Sequence, residues 1–121
     1  MKQGKIIAAY NTLIELSEKN ALPLRAARAL FDLRKKLAPT YEFYEAERIK
    51  TIKRLGDEDP LTGNVSVGPG HMVEFLDAKK ELDEMDVDIP GLPVRIELPD
   101  DMKILPAHLW ALDGFADFGE V

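Results

Sequence analysis

Apolar residues recur at every third or fourth position between residues 23 and 55, which is the period of a helix with one buried face. Phe31 and Ile49 lie beside this face and are expected to widen it. The residues on the face itself are Leu30, Leu33, Leu37, Tyr41, Tyr44, Ile52 and Leu55, with Arg48 as the polar interruption. Because no other stretch offers as much continuous apolar surface, we expect the rest of the chain to pack against this helix.

Pro39 stands in the middle of this stretch and leaves two interpretations open. Inside a helix, proline removes one backbone hydrogen bond and crowds the preceding turn, at a cost of ~3 kcal/mol. At the first position of a second helix the missing N–H would be harmless, but Ala38 has no side chain that could cap such a helix. Because the apolar face keeps its phase across Pro39, one kinked helix is favoured over two.

A first helix is predicted over residues 4–19, where Ile6, Tyr10 and Leu13 fall on one face. Only a short connection, beginning at Asn20, separates it from Pro23, which is well placed as the first residue of the next helix. So short a connection predicts an antiparallel helical hairpin.

Residues 56–70 differ in character, because they hold four glycines, two prolines and three consecutive acids. We expect an exposed, mobile acidic loop, with Val65 and Val67 available for a very short strand. A third helix is predicted over residues 71–84, where apolar positions return to helical spacing.

The C-terminal third indicates extended structure. Residues 85–89 and 94–98 alternate between apolar and charged side chains, which is the period of half-buried strands. The prolines and glycine between them predict a turn and therefore an antiparallel hairpin, to which residues 102–105 would add a third strand. Pro106 would then open a helical turn that Gly114 ends. Phe115 and Phe118 are expected to dock on the helices or on a partner, since exposing them to water is unfavourable.

Together these elements predict one domain of the α+β class, mostly helical, over residues 1–121. It comprises a basic helical hairpin with one long helix (1–55), an acidic glycine-rich loop (56–70), and an acidic part with a third helix, a small antiparallel sheet and a helical turn (71–121). A chain without cysteine has no disulfides, thiolate metal sites or cysteine nucleophile. No apolar run reaches the ~18 residues of a membrane helix, so we expect a protein of a reducing compartment that does not span a membrane.

Charge divides the chain into two unlike halves. Residues 1–55 carry 12 Lys and Arg against 6 Asp and Glu, whereas residues 56–121 carry 4 against 16. The favoured interpretation is that the two halves attract each other, within the fold or between subunits. Two others remain open: a basic surface for an acidic partner or nucleic acid, and an acidic surface that mimics nucleic acid.

The candidate interaction residues follow from this division. The basic set lies on the long helix and the acidic set near the predicted sheet; they are Arg25, Arg28, Arg34, Lys35 and Lys36, and Asp86, Asp88, Asp100 and Asp101. We do not expect nucleic acid as the partner of the basic set, because Tyr41 and Tyr44 fall on the buried face and few aromatics remain to stack on bases. An uncovered apolar strip on a long helix also predicts a homo-oligomer.

Two constellations suggest metal ligands. Asp57, Asp59 and Gly63 resemble a calcium loop, but the pattern needs an oxygen ligand at residue 61 and glycine at residue 62, where leucine and threonine stand. His71 and Glu74 lie one helical turn apart, but His108, the other histidine, is distant in sequence. We therefore predict no metal and no cofactor.

Catalytic patterns are incomplete as well. Neither serine, Ser17 or Ser66, lies in a G-x-S-x-G elbow. The Gly68-Pro69-Gly70 segment precedes a helix start, which can bind phosphate, but it lacks the Walker lysine and the Rossmann spacing. The sequence therefore predicts a protein that is not an enzyme.

Four segments occur in an order that resembles a family of small tailed-bacteriophage proteins of unknown function. They are L-P-L-R-A-A-R-A-L (residues 22–30), L-A-P-T-Y-E-F-Y-E-A-E-R (37–48), R-L-G-D-E-D (54–59) and L-P-A-H-L-W-A-L-D (105–113). The resemblance spans most of the chain and implies a phage or prophage origin, with a structural, assembly or accessory role in the host cytoplasm or the virion. It carries over no catalytic residue. The partner would be another phage protein; the alternative is a host-directed inhibitor that mimics nucleic acid or sequesters a nucleotide.

Overall fold

The computed structural model describes residues 1–19, 21–99 and 104–120, and this part of the chain is α+β and mostly helical, as predicted. Its helices are α1 (Gln3–Lys19), α2 (Leu24–Leu55), α3 (Met72–Glu84) and the short α4 (Pro106–Ala111), with a 3-10 turn over Pro69–His71. Its strands are β1 (Asp57–Glu58), β2 (Val65–Ser66), β3 (Val94–Leu98) and β4 (Ala116–Glu120). The fold is built around α2, whose 32 residues span about 48 Å at 1.5 Å per residue.

Helix α2 continues through Pro39, so the prediction of one helix is confirmed and the two-helix interpretation is wrong. The proline ring lies on the exposed side of the helix, away from the core. The buried residues of α2 are Ala26, Leu30, Leu33, Leu37, Tyr44 and Leu55. The predicted face is therefore confirmed except at Tyr41 and Ile52, which are half-buried, and Ala26 is buried although it was not predicted.

Helices α1 and α2 form the predicted hairpin. The ring of Tyr10 stacks on that of Tyr41 with centroids 4.2 Å apart, and Leu13 and Leu33 are fully buried. Asn20, the predicted end of the first helix, lies outside the described residues.

The start of the chain is bonded to the end of α3. Gln3 is only 1% exposed, and its side-chain amide donates to the Leu82 carbonyl oxygen at 2.8 Å. Its backbone N–H donates to the Met85 carbonyl oxygen, also at 2.8 Å. Val87 N–H in turn donates to the Met1 carbonyl oxygen at 2.8 Å. The bond to Leu82 satisfies a carbonyl group in the last turn of α3, which has no partner within the helix. Together the three bonds hold α1 beside α3.

The predicted C-terminal hairpin is wrong, because β3 pairs with β4 and the two strands run parallel, from Val94 beside Ala116 to Leu98 beside Glu120. Residues 85–89 lie along the start of the chain instead, through a single bridge between Lys2 and Asp86. Val87 and Ile89 still pack against the core, so their alternating pattern reports burial on one side without ladder pairing. Of the proposed third strand, residues 102 and 103 lie outside the described residues, and 104–105 form no strand.

The antiparallel pair of this fold is the small β1–β2 hairpin in the acidic loop, which joins Asp57 to Ser66 and Glu58 to Val65. Gly63 lies at its tip with a φ of 74°, a backbone conformation that glycine adopts at low cost. The predicted exposure of this loop is confirmed, since most of its residues are exposed.

The core lies between the α1–α2 hairpin and the β3–β4 pair. Ile6, Leu37, Ile96 and Phe115 are almost completely buried there, and Phe118 packs against them. The two C-terminal phenylalanines therefore dock on their own chain. Helix α3 contributes no buried residue and lies at the edge of the hairpin. Among the described residues, no helix is long and apolar enough to cross a membrane.

Candidate interaction surfaces

All five basic candidates on the first half of α2 are exposed. At 3.6 residues per turn, Arg28 and Lys35 lie on the side of the helix opposite the buried Leu30 and Leu37. We call the surface formed by Arg25, Arg28, Phe31, Lys35 and Lys36 the basic ridge. Arg34 points to another side of the helix: its guanidinium carbon lies 5.7 Å from the centroid of the Tyr10 ring, and its Nε lies 3.5 Å from the Tyr10 hydroxyl.

Phe31 was expected to widen the buried face, but its side chain is 55% exposed. The Arg28 guanidinium carbon lies 5.8 Å from the centroid of its ring, an arrangement in which a cation is attracted to the ring face. The signal that could have revealed this exposure is helical phase. Phe31 lies at about the same angle around the helix axis as Leu24 and Ile49, which are also exposed.

The cations of the ridge form few contacts with the acidic half of their own chain. Arg28 pairs with Asp32 of the same helix at 3.3 Å, and within the described residues Arg25, Lys35 and Lys36 make no ion pair. The Lys36 side chain instead lies against the turn at Gly91, where an added Cβ would be 2.9 Å from its Nζ.

The same separation holds for the whole described part of the chain. Every ion pair that Lys or Arg makes there joins two residues of the same half, such as Arg48 with Glu45 in the basic half and Lys79 with Asp83 in the acidic half. The favoured interpretation of the charge division was that the two halves attract each other within one fold. In the described residues, no ion pair of Lys or Arg supports it.

The acidic candidates are only partly brought together. Asp86 and Asp88 are exposed, and the carboxylate of Asp86 lies 3.8 Å from the Met1 ammonium. Asp100 and Asp101 lie outside the described residues.

A groove that the sequence does not predict runs between the C-terminal half of α2 and helix α3, with a volume of about 580 Å³. Three carboxylates and one guanidinium line it together with apolar side chains. Its lining residues are Glu47, Thr51, Arg54, Ala78, Glu81, Leu82, Glu84 and Met85, and we call it the acidic groove. Glu47 is paired with Lys50 at 3.2 Å, whereas the side chains of Glu81 and Glu84 make no ion pair within the described residues.

A polar cluster joins α2 to α3 beside this groove. Tyr44, 4% exposed, donates its hydroxyl to Asp83 at 2.7 Å, and Lys79 donates to the same carboxylate at 2.9 Å. Burial raises the pKa of Tyr44, and the hydrogen bond to Asp83 raises it further. A phenol held in its protonated form by both effects ties two helices together and is a poor general base.

The histidines were the other candidate ligands. His71 Nδ1 lies 3.7 Å from Glu74 Oε1, and both side chains are more than half exposed. His108 Nε2 lies 3.6 Å from Glu15 Oε1, while its Nδ1 is buried without a hydrogen-bond partner in the described part of the chain. In that part, no three His, Asp or Glu side chains are grouped closely enough to hold a metal ion.

No protein-family model matches this chain, and no curated protein and no solved structure is similar to it.

Proposed function

We propose that this protein is a non-enzymatic, phage-encoded assembly or accessory protein that binds another protein through the basic ridge. The observation that carries the proposal is the exposed ring of Phe31, with Arg28 above it and Lys35 one turn further on. Within the described residues, neither cation forms an ion pair with the acidic half of the chain. Arginine and aromatic side chains are enriched in protein interfaces, and they supply much of the binding free energy there.

A protein partner is favoured over nucleic acid for two reasons. The net charge of −6 repels a phosphate backbone at long range, and the positive residues of the ridge cover only part of one helix. In addition, Phe31 is the one aromatic residue of the ridge, whereas proteins that bind single strands stack several successive bases.

The phage assignment is supported by the resemblance of four segments to small tailed-bacteriophage proteins. On this proposal, the partner is a phage-encoded protein, a second copy of this chain included, and the two meet in the host cytoplasm or in the virion. The non-enzymatic assignment is supported by the clusters described above, since Tyr44 is held protonated and His71 and Glu74 are exposed to solvent.

The alternative is a host-directed inhibitor, which would use its acidic half as a nucleic-acid mimic or its basic residues to hold a nucleotide. Exposed Asp88 favours a mimic, but the Met1 ammonium offsets part of the charge of Asp86. This alternative therefore has weaker support than the assembly role.

Co-purification with single-residue variants tests the proposed function. The chain is tagged and expressed during phage infection. The wild type should capture a partner, and the Lys53→Glu control, which reverses an exposed cation outside the ridge, should capture the same one. Phe31→Ala and Arg28→Glu should each reduce that capture at least about tenfold, because truncated interface anchors commonly cost 1–2 kcal/mol or more.

Equal capture by the wild type, Phe31→Ala and Arg28→Glu would contradict the proposal. Capture of a host protein or nucleotide through the ridge, with no phage protein, would favour the alternative. Circular dichroism of each variant shows that lost capture does not arise from unfolding.

A further inference from the structure

The acidic groove and the basic ridge have complementary chemistry. The ridge presents one exposed aromatic ring among cations, and the groove is lined by the apolar side chains of Ala78, Leu82 and Met85 together with Glu81 and Glu84, which make no ion pair within the described residues. Arg54 is the cation among the lining residues of the groove, so its carboxylates outnumber its cations by two. An aromatic side chain could pack on the apolar lining while flanking cations meet the carboxylates, and protein interfaces commonly combine apolar and polar contacts in this way.

A chain cannot dock its own ridge into its own groove. Phe31 and Thr51 are twenty residues apart on α2, so the two surfaces lie about 30 Å apart along a rigid helix. They also point about 120° apart around the helix axis, as the positions of Lys35 and Glu47 show. One neighbour lying along α2 therefore cannot fill both surfaces at once.

We propose that the partner of the basic ridge is a second copy of this chain, whose acidic groove receives Phe31, Arg28 and Lys35. The proposal rests on the proposed function and names its partner. Charge complementarity carries it: two oppositely charged surfaces of one molecule, each with unpaired charges, satisfy each other only between copies. Because the contact joins unlike surfaces, each copy keeps one free ridge or groove, and the copies add head to tail into a ring or an open filament.

Sedimentation velocity over a range of concentrations tests self-association. The wild type should form species larger than two copies as its concentration rises, and added salt should reverse this, because exposed charges are screened within about 8 Å at 0.15 M ionic strength. A wild type that stays monomeric up to millimolar concentration would overturn the proposal. A species that never exceeds two copies would overturn the head-to-tail geometry.

A charge exchange between two double variants gives the sharper test. Arg28→Glu with Lys35→Glu replaces the two cations that flank Phe31 with carboxylates, like those of the groove. Glu81→Lys with Glu84→Lys gives a chain whose groove is basic, like its ridge. Each variant alone should associate at least about tenfold more weakly than the wild type, because like charges face each other across the contact. An equimolar mixture should regain association, since each ridge then finds a groove of opposite charge.

Lys5→Glu with Lys53→Glu is the matched control for the Arg28/Lys35 variant, because it makes the same change of net charge at exposed positions outside both surfaces. This control should associate like the wild type. The proposal would be overturned if the control weakened self-association as much as the double variants do. It would also be overturned if a mixture of the two double variants remained monomeric although both are folded.

The outcome also separates this proposal from the proposed function. A monomeric wild type that still captures another protein through Phe31 would leave the proposed function intact and refute the second copy as partner. Loss of both self-association and ridge-dependent capture would refute both.

Discussion

Single residues determine how two pairs of elements pack in this fold: α2 against the β1–β2 hairpin, and α2 against α3. Gly56 lies where α2 ends and the β1–β2 hairpin begins. A Cβ at this position would lie 2.5 Å from the Ile52 carbonyl oxygen and 2.6 Å from Val65 Cγ1. Because one of these neighbours is a backbone atom, the hairpin could dock only if the chain shifted.

We therefore expect Gly56→Ala to lower the free energy of unfolding by about 1–3 kcal/mol, the usual cost of overpacking. Gly70→Ala is the matched control, because nothing lies within 4 Å of a Cβ built there. Urea unfolding of the two variants measures the difference. Equal stability of both would show that the hairpin does not pack closely on the end of α2.

The second junction is the hydrogen bond between Tyr44 and Asp83, which depends on pH. The pKa of Tyr44 is raised above its ordinary value of 10.0 in the folded chain, so the folded state holds this proton more tightly than the unfolded state does. The stabilisation is therefore complete below about pH 10 and is lost as the pH rises through the folded pKa.

At pH 7, Tyr44→Phe should lower the free energy of unfolding by ~1 kcal/mol, because Asp83 loses a donor. This gap between the wild type and the variant should shrink as the pH rises above 10. Tyr41→Phe removes a phenol hydroxyl that makes no hydrogen bond within the described residues, and it should leave stability at pH 7 nearly unchanged. Denaturant unfolding from pH 7 to 11 makes the comparison, and a gap that widens with pH would contradict the assignment.

At the scale of elements, α2 is a continuous helix that tolerates a proline near its middle. Pro39 cannot donate the backbone hydrogen bond that other residues at this position would make to the Lys35 carbonyl oxygen. The helix survives because buried residues hold it on both sides of the proline. Leu37 before it packs in the core, and Tyr44 after it is bonded to Asp83 of α3.

Pro39→Ala should raise the free energy of unfolding by about 1–3 kcal/mol, since it restores a hydrogen bond and removes a steric clash at an exposed position. Ala46→Gly, at another exposed position of the same helix, should change stability in the opposite direction by about 1 kcal/mol. Thermal and urea unfolding measure both. A Pro39→Ala variant that is less stable than the wild type would show that the core packs best on the helix shape that proline imposes.

The helices could be predicted from the sequence because their information is local. The period of apolar residues and the positions of Pro23 and Pro106 gave α1, α2, α3 and α4 within a few residues of their bounds. The pairing of the strands is not local information. The alternation in residues 85–89 arises from one-sided burial, and the partner of β3 comes from residues 116–120, across a connection that contains α4. Parallel strands are joined by such a crossover and not by a tight turn, so no turn motif in the sequence indicates which strands pair.

The candidate surfaces divide in the same way. The charges of the ridge were visible as a run of Arg and Lys, whereas the exposure of Phe31 required its phase around the helix and the positions of its neighbours. The acidic groove could not be predicted, because Glu47 and Glu81 come from helices whose packing is a tertiary property.

At the scale of the whole molecule, charge and shape work together. The basic half of the chain forms the hairpin, while the acidic half closes one of its sides and leaves the ridge uncovered. Because Lys and Arg pair only within their own half in the described residues, the molecule retains an uneven charge distribution on its surface. Such a distribution accelerates the encounter of oppositely charged surfaces, and salt weakens it.

The bonds between Gln3 and the end of α3 also bear on how fast the molecule folds. The side chain of Gln3 and its acceptor at Leu82 are 79 residues apart in the chain, so α1 takes its final place only after a long loop has closed. A helical hairpin alone assembles from local contacts, and chains rich in local contacts fold in microseconds to milliseconds. We therefore expect the α1–α2 hairpin to form before the first turn of α1 is fixed, because Gln3 has its acceptors at Leu82 and Met85 only once α3 is in place.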